Sequence, residues 1–425
     1  MKGCSRFLPM KILLLGFNVQ ESVFPLGLSY LKSYLRVHHP EVEVELKEFS
    51  FGNRIGYETN KNIELQVLSY IMLSKPDVVA FSNYIWSSEM AQDFARAIKQ
   101  IDPAIRVVLG GVEVDKNHLK PDVDFVITGE GEIALNELVD FLQGKCRIED
   151  VSNVICWKDG LVLETKKKVV QVLDTIPFPY KFSDVKHFEA VRIETSRGCV
   201  YNCNFCYYAQ PEFRNFSLGY LRENLRYLFR EFSFKNLTFI DANFNTNSVR
   251  MFEILDLVEE NVKEFGQKIE VHCELRPELI DADMVARMSG YSFRIRVELG
   301  FQSSNPTVLK LANRPTNLVK VKEALALLDK SSIAYKIDLM YGLPGDTFFS
   351  FLQSMRFLLR NAIKQKKVVA HHFMVLNNTT FGMQEMVRFT PAVSSMILKT
   401  QTQDTLELYL TKLFVEMVNE ELGWY

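Results

Sequence analysis

The chain has 425 residues, with 50 Lys and Arg set against 52 Asp and Glu, for a formal net charge of −2. That balance gives no global drive toward nucleic acid or an anionic membrane, and no run approaches the roughly 20 apolar residues of a membrane-crossing helix. At 47% hydrophobic and 24% charged, the composition is that of a globular chain of two or three domains, whose Phe residues fill a large core or, alternatively, line an apolar substrate cavity.

Met1–Phe17 loosely imitates a signal peptide, but the apolar run Ile12–Leu15 is short and no small-residue cleavage site follows it. It reads instead as a first buried strand, Lys11–Phe17, with Met10 an alternative start to Met1. Leu26–Leu35 has helical spacing, with Leu28, Leu31 and Leu35 on one stripe. Val42–Phe49 alternates as a strand. Asp77–Phe81, Arg106–Leu109 and Asp124–Ile127 are further strands, and Met90–Ile101 and Ala134–Leu142 are helices. His38 and His39 look like a solvated helix end. Five strands alternating with helices predict an α/β, doubly wound, Rossmann-like domain over residues 10–145, with its ligand crevice beyond the carboxyl ends of the strands.

Residues 146–188 read as a connector containing a hairpin, Asn153–Trp157 and Leu161–Glu164 about Lys158-Asp159-Gly160, and then the stiff link Ile176-Pro177-Phe178-Pro179. Six strands follow over 189–375: Ala190–Ser196, Asn236–Asp241, Ile269–Glu274, Arg294–Gly300, Ala334–Tyr341 and Lys367–Val375. Helices such as Leu218–Phe232, Ser248–Phe265 and Leu318–Ser331 separate them, so a partial (β/α)6 TIM barrel is expected. Residues 376–425 form a small carboxyl-terminal region ending in a helix, Gln403–Leu422.

Three of the seven cysteines fall within eight residues, and Cys4, Cys146, Cys156 and Cys273 are scattered. That pattern fits a reducing compartment, the cytoplasm, and a metal site rather than a disulfide framework. Cys199, Cys203 and Cys206, in Ser196-Arg197-Gly198-Cys199-Val200-Tyr201-Asn202-Cys203-Asn204-Phe205-Cys206, can wrap one cubane cluster in a single loop. With no fourth cysteine nearby, one iron is left open, the mark of a catalytic site. A structural zinc site would need a fourth ligand, and neither His187 nor His272 has zinc-finger spacing.

The spacing C-x3-C-x2-C with Phe205 before the last Cys resembles the radical S-adenosylmethionine (SAM) superfamily. The resemblance implies a [4Fe–4S] cluster on the three cysteines, SAM chelated to the open iron, and reductive cleavage of SAM to a 5′-deoxyadenosyl radical by an external flavodoxin- or ferredoxin-type reductant. It places Phe205 against the adenine. Val297-Glu298-Leu299-Gly300-Phe301-Gln302-Ser303 resembles the fourth strand near the SAM ribose and methionine, which brings in Glu298 and Gln302. Tyr341-Gly342-Leu343-Pro344-Gly345 resembles the turn where the backbone at Gly342 approaches adenine. Asn243 and Glu274 end neighbouring strands and are expected to contact SAM or substrate. The Pro-Gly-Thr turn frequent after the sixth strand is replaced here by Leu376-Asn377-Asn378-Thr379-Thr380.

The front domain resembles the cobalamin-binding domain attached to many such proteins, through Pro25-Leu26-Gly27-Leu28, Ser82, Gly110-Gly111 and Gly129-Glu130-Gly131-Glu132. Ser82, Gly110, Gly111, Gly129 and Glu130 are the expected cobalamin residues. The Asp-x-His-x-x-Gly motif that supplies a lower ligand to cobalt is missing, since Asn18–Phe24 holds no histidine. His118 lies too far along the chain to replace it. The resemblance implies methyl transfer to an unactivated carbon of a small-molecule or natural-product substrate, with cobalamin-dependent rearrangement or cyclisation as the alternative. Methylthio transfer would need more cysteines in the front domain than Cys4 and Cys146. Peptide modification through auxiliary clusters would need cysteines after Cys273. A cobalamin-binding module with a degenerate barrel is the non-enzyme alternative, and the intact cysteine triplet opposes it.

Overall fold

In the computed structural model the described residues are 9–18, 24–50, 61–183, 185–209, 212–361, 368–383, 387–388 and 397–422. The chain divides into two units, Met1–Asp184 and Val185–Tyr425.

In the first unit, Ile12, Leu13, Leu14 and Leu15 are all fully buried. An uninterrupted apolar run of this kind is what a parallel strand covered on both faces requires. The run is the heart of β1 (Lys11–Asn18), which pairs in parallel with β2 (Glu43–Ser50) and β3 (Val78–Ser82). β4 (Arg106–Gly110) and β5 (Phe125–Ile127) extend the sheet in the order β2-β1-β3-β4-β5. Three helices join these strands, α1 (Leu26–His38), α2 (Lys61–Ser74) and α3 (Ser88–Ile101), and α4 (Gly131–Leu142) follows β5. Leu13 and Leu15 pack with Val67, Ile71, Phe94 and Ile98 of α2 and α3. Ile12 and Leu14 pack with Leu28, Leu35, Leu135 and Leu138 of α1 and α4. The strand order reverses between β1 and β3, so the crevice of this doubly wound sheet opens beyond their carboxyl ends.

Two details differ from the sequence reading. Residues 146–188 are not a free connector, because the hairpin β6 (Val154–Lys158) and β7 (Leu161–Glu164) adds to β5 in antiparallel fashion and lengthens the sheet to seven strands. Farther along, the Pro177 carbonyl accepts from Ser33 Oγ at 3.1 Å, and Tyr180 stacks on Phe24 at 3.9 Å. His39 is not solvated either: it is buried between Glu41 and the Asn136 carbonyl, each at 3.3 Å.

The second unit holds β8 (Ala190–Ile193), then the two-residue antiparallel pair β9 (Ser196–Arg197) and β10 (Arg214–Asn215). After these come β11 (Asn236–Phe239), β12 (Glu270–Leu275), β13 (Arg294–Gln302), β14 (Ala334–Tyr341) and β15 (Val368–His372). The large sheet runs β15-β14-β13-β12-β11-β8, all parallel, so each strand lies beside its successor as in a half barrel. Between the strands lie α5 (Leu218–Glu231), α6 (Ser248–Phe265), α7 (Ala282–Ser289), α8 (Pro306–Leu311), α9 (Leu318–Asp329) and α10 (Phe348–Asn361). Beyond β15 lie β16 (Val387–Arg388), β17 (Ile397–Lys399) and α11 (Thr405–Leu422). Residues 376–425 do not stand apart, since Phe381, Ile397 and Leu408 pack with Leu343 and Phe373 at the strand ends.

Asn153 fastens the hairpin to the first unit. It is buried at a left-handed φ of 60°, a region asparagine tolerates better than most residues. Its amide donates to the carbonyls of Glu130 (3.0 Å) and Lys168 (2.7 Å) and accepts from Lys168 N–H at 2.7 Å. Asn153→Ala strands these groups in the interior, so urea unfolding should show a loss of about 2–3 kcal/mol. An unchanged midpoint would mean that the hairpin is peripheral.

Candidate functional site

The three cysteines lie on one loop, 199–206, between the paired strands β9 and β10. Upstream, the buried Asp241 carboxylate accepts from Thr195 N–H (3.1 Å), Thr195 Oγ1 (2.7 Å) and Ser196 Oγ. The Thr195 carbonyl in turn accepts from Phe216 N–H and from Arg250 Nη2, each at 3.1 Å. Gly198 has φ 78°, and a Cβ there would stand 2.7 Å from the Glu212 carbonyl oxygen. Only glycine lets the two sides of the loop cross so closely.

The turn after α8 holds the loop's middle. Asn204 N–H donates to the Ala312 carbonyl at 3.0 Å and its amide to the Leu311 carbonyl at 2.7 Å, while Asn313 donates to the Asn202 carbonyl at 2.7 Å. Arg314 Nη1 lies 3.7 Å from Cys203 Sγ. The divergent segment Leu376–Thr380 also serves this loop: Thr379 closes a turn on the Leu376 carbonyl at 2.8 Å, and Phe381 N–H donates to the Asn204 carbonyl at 2.9 Å.

This environment suits an iron–sulfur cluster. Burial raises the Cys199 thiol and pushes Cys206 up to about 11. Such thiols become thiolates when a metal supplies the opposing charge. Arg276 and Arg314 are both buried and each favours the Cys199 thiolate, with Arg276 also paired to the carboxylate of Glu278. Each also keeps a buried nitrogen without a partner, Arg276 Nη1 and Arg314 Nε, as expected beside an anionic sulfur cage. Among the described residues no three His, Cys, Asp or Glu side chains converge as for a single metal ion. A cubane takes its thiolates on different irons and needs no such convergence. Arg314 is not legible locally in the sequence, because it lies 111 positions from Cys203.

The expected SAM residues fall into two groups. Asn243 follows β11, and both atoms of its side-chain amide are buried without a partner, which suits a polar ligand. Its neighbour Phe244 N–H donates to the Glu274 carbonyl at 2.9 Å, so Asn243 and Glu274 lie side by side at adjacent strand ends. Glu274 reaches solvent yet is crowded by protein, and burial with the nearby Glu298 and Asp338 raises its carboxyl to about 7. Gln302 sits at a bulge where β13 shifts register against β14, at a left-handed φ of 68°. Bulges re-aim side chains, and Gln302 Nε2 folds back to 3.1 Å from where a Gly300 Cβ would stand.

The second group is engaged by the protein itself. Glu298 is bound by Lys336 at 2.7 Å and His272 at 3.5 Å. Burial alone would raise its carboxyl, but hydrogen bonds with His272, Asp338 and Lys336 hold it well below the ordinary range. Gly342 is covered, since a Cβ there would meet Leu408 at 3.2 Å and His372 at 3.3 Å. Phe205 packs in the apolar cluster of Val308, Ala312, Leu343 and Phe373.

In the first unit, Ser82 and Gly110 are register partners at the ends of β3 and β4. Gly111 has φ 107°, and a Cβ there would stand 2.5 Å from the Asn83 carbonyl oxygen. The position is therefore glycine because the two turns cross there, which is a different reason from leaving room for a flat ligand. Gly129 has φ 82° and open space around it. The Glu130 carboxylate accepts from Val170 N–H at 2.7 Å, so it is occupied in fastening the hairpin side. Sequence reasoning missed an aromatic pair at the crevice. Tyr84 and Trp86 stack at 4.7 Å and stand partly in solvent, and the Trp86 indole N–H reaches the Phe17 carbonyl at the end of β1 at 3.0 Å. Both ring nitrogens of His118 are taken, by Asp115 at 2.8 Å and Ser88 at 2.9 Å.

A half barrel with a three-cysteine loop docked at its strand ends, preceded by a doubly wound sheet, defines a two-part radical-chemistry architecture. Residues 193–358 match the radical SAM superfamily, and residues 12–139 match the B12 binding domain. The chain belongs to the radical SAM family that carries an amino-terminal B12-binding domain, whose cofactors are a [4Fe–4S] cluster, SAM and cobalamin. It is 24% identical over 340 residues to the uncharacterised methyltransferase PH0819 of Pyrococcus horikoshii, covering 76% of this chain and 70% of that protein. It is 26% identical over 318 residues to the cobalamin-dependent radical SAM methyltransferase TokK of Streptomyces tokunonensis, covering 67% of this chain but only 45% of TokK. The cobalamin-dependent SAM radical enzyme OxsB superposes with a TM-score of 0.75 at 16% identity, over 97% of this chain and 66% of OxsB. No helix among the described residues is long and apolar enough to cross a membrane.

Gly198→Ala tests whether loop closure governs metal uptake. A Cβ at a left-handed φ, against the Glu212 backbone, should cost more than about 1 kcal/mol. Iron retained after anaerobic reconstitution should fall below the wild-type level. Full iron content with unchanged urea stability would show that the loop closes by other means.

Proposed function

We propose that this protein is a cobalamin-dependent radical SAM enzyme that transfers a methyl group to an unactivated carbon of a small-molecule or natural-product substrate. The observation that carries the reading is the cysteine loop, tied at both ends and through its middle at the carboxyl ends of the half-barrel strands. The methyltransferase names of its relatives support the outcome.

Cys199, Cys203 and Cys206 would hold the cluster, with the buried Arg314 beside Cys203 as a neighbouring cation. Asn243, Glu274 and Gln302 are the polar groups at the mouth best placed for SAM or substrate. Phe205 supplies an apolar wall, and Glu298 acts through the Lys336–His272 network. In the first unit Ser82, Gly110 and Gly129 border the cobalamin crevice, Gly111 shapes it, and Glu130 holds the turn beneath it. His118 has both ring nitrogens engaged and Asn18–Phe24 offers no histidine, so neither would serve as a ligand to the cofactor's metal. When bound, the groups supply hydrogen abstraction and a transferable methyl. A flavodoxin- or ferredoxin-type donor in the cytoplasm supplies the electron.

Incubating the reconstituted full chain with trideuteromethyl-SAM, cobalamin and a low-potential reductant tests this without knowledge of the substrate. Mass spectrometry should find the label in the cobalamin fraction and 5′-deoxyadenosine as a second product. Deoxyadenosine without label on cobalamin would favour rearrangement or cyclisation. Neither product would refute the enzyme reading.

A further inference from the structure

We propose that Arg314 is a positioning residue that sets the reduction potential of the cluster by donating a hydrogen bond to the Cys203 sulfur. The proposal rests on the cluster assignment above and goes beyond it.

The guanidinium spans two acceptors. Nη1 lies 3.7 Å from Cys203 Sγ, and Nη2 donates to the Gly300 carbonyl at the β13 bulge. Its own backbone is fixed, with Arg314 N–H donating to the Leu309 carbonyl at 2.8 Å. Asn204 and Asn313 fix the separation between this turn and the cysteine loop. The side chain is 9% exposed and Cys203 is 5% exposed, so water does not compete for the sulfur. A hydrogen bond to a charged partner is stronger in such surroundings.

Gly300 completes the arrangement. A Cβ there would stand 3.0 Å from Arg314 Nη2, so any side chain at 300 crowds the guanidinium that Cys203 needs. Within Val297-Glu298-Leu299-Gly300-Phe301-Gln302, this glycine therefore has a role toward the cysteine loop as well as within the strand.

Hydrogen bonds to cluster sulfurs are among the factors that set iron–sulfur potentials. Reduction adds one electron from a flavodoxin- or ferredoxin-type donor, with no bond made or broken. The reduced cluster is the more negative state. A fixed donor at Cys203 stabilises that state more than the oxidised one, which raises the potential. Lysine keeps the charge but lacks the planar fork that reaches two acceptors at once.

The test is a mediated redox titration of anaerobically reconstituted full-length protein, with dithionite as reductant and electron paramagnetic resonance as readout. It compares wild type, Arg314→Lys and Gly300→Ala. Both variants should keep four irons per chain and titrate lower. The reduced-to-oxidised ratio at a fixed potential should fall about tenfold, equivalent to about 59 mV for one electron. An unchanged potential in Arg314→Lys with its cluster intact overturns the proposal and leaves the cluster assignment standing. If Arg314→Lys cannot retain iron, Gly300→Ala decides: a lowered potential supports the proposal and an unchanged one overturns it. A wild-type protein that binds no cluster defeats the underlying assignment instead.

Discussion

The Asp241 carboxylate is the contact on which the rest of the second unit's site depends. It is buried, and burial raises it against the pull of Thr195 and Ser196. A buried carboxyl is costly unless its hydrogen bonds are satisfied, and here three donors satisfy it. In return it fixes the residues that launch the cysteine loop. The loop then meets a second constraint, the 311–314 turn, through Asn204, Asn313 and Arg314. A loop held at its start and in its middle has its backbone fixed around the three cysteines.

The polar side chains of β12, β13, β14 and β15 form a graded system. Glu298 is neutralised by Lys336 and lies 3.5 Å from His272, and Asp338 faces Lys336 at 3.9 Å and His371 at 3.3 Å. Glu274 has neither partner, and burial first, then the two acids beside it, raise its carboxyl. The consequence is a charged floor that is largely satisfied, with an unengaged carboxyl near the mouth beside the orphaned amide of Asn243. Satisfied ion pairs serve rigidity, while unsatisfied groups are where ligands are recognised.

Much of this was legible from local patterns. The strand Ala334–Tyr341 and the helix Ser248–Phe265 fall where their periodicity places them, because apolar alternation and helical spacing are local signals. The cysteine triplet is local as well. Helix α2 was missed, its buried Ile63, Val67 and Ile71 standing among further apolar residues that blur the stripe. Helices α7, α8 and α10 also went unassigned. Arg314 could not be found locally, since it meets the cysteine loop across a long stretch of chain. Gly111 and Gly342 were recognised as special, but the cause assigned to them was a ligand. The structure shows a crossing with Asn83 in one case and a cover of Leu408 and His372 in the other. Glycine requirements look alike in sequence whatever approaches them. His39 failed for a related reason: its burying partner, Asn136, lies 97 positions away.

Three thiolates on this loop would leave one iron of four open to SAM. Mössbauer spectroscopy of protein reconstituted with iron-57, recorded before and after adding SAM, tests it most directly. One iron site of the four should change its isomer shift on SAM addition while the other three keep theirs. Four equivalent sites that ignore saturating SAM would contradict it.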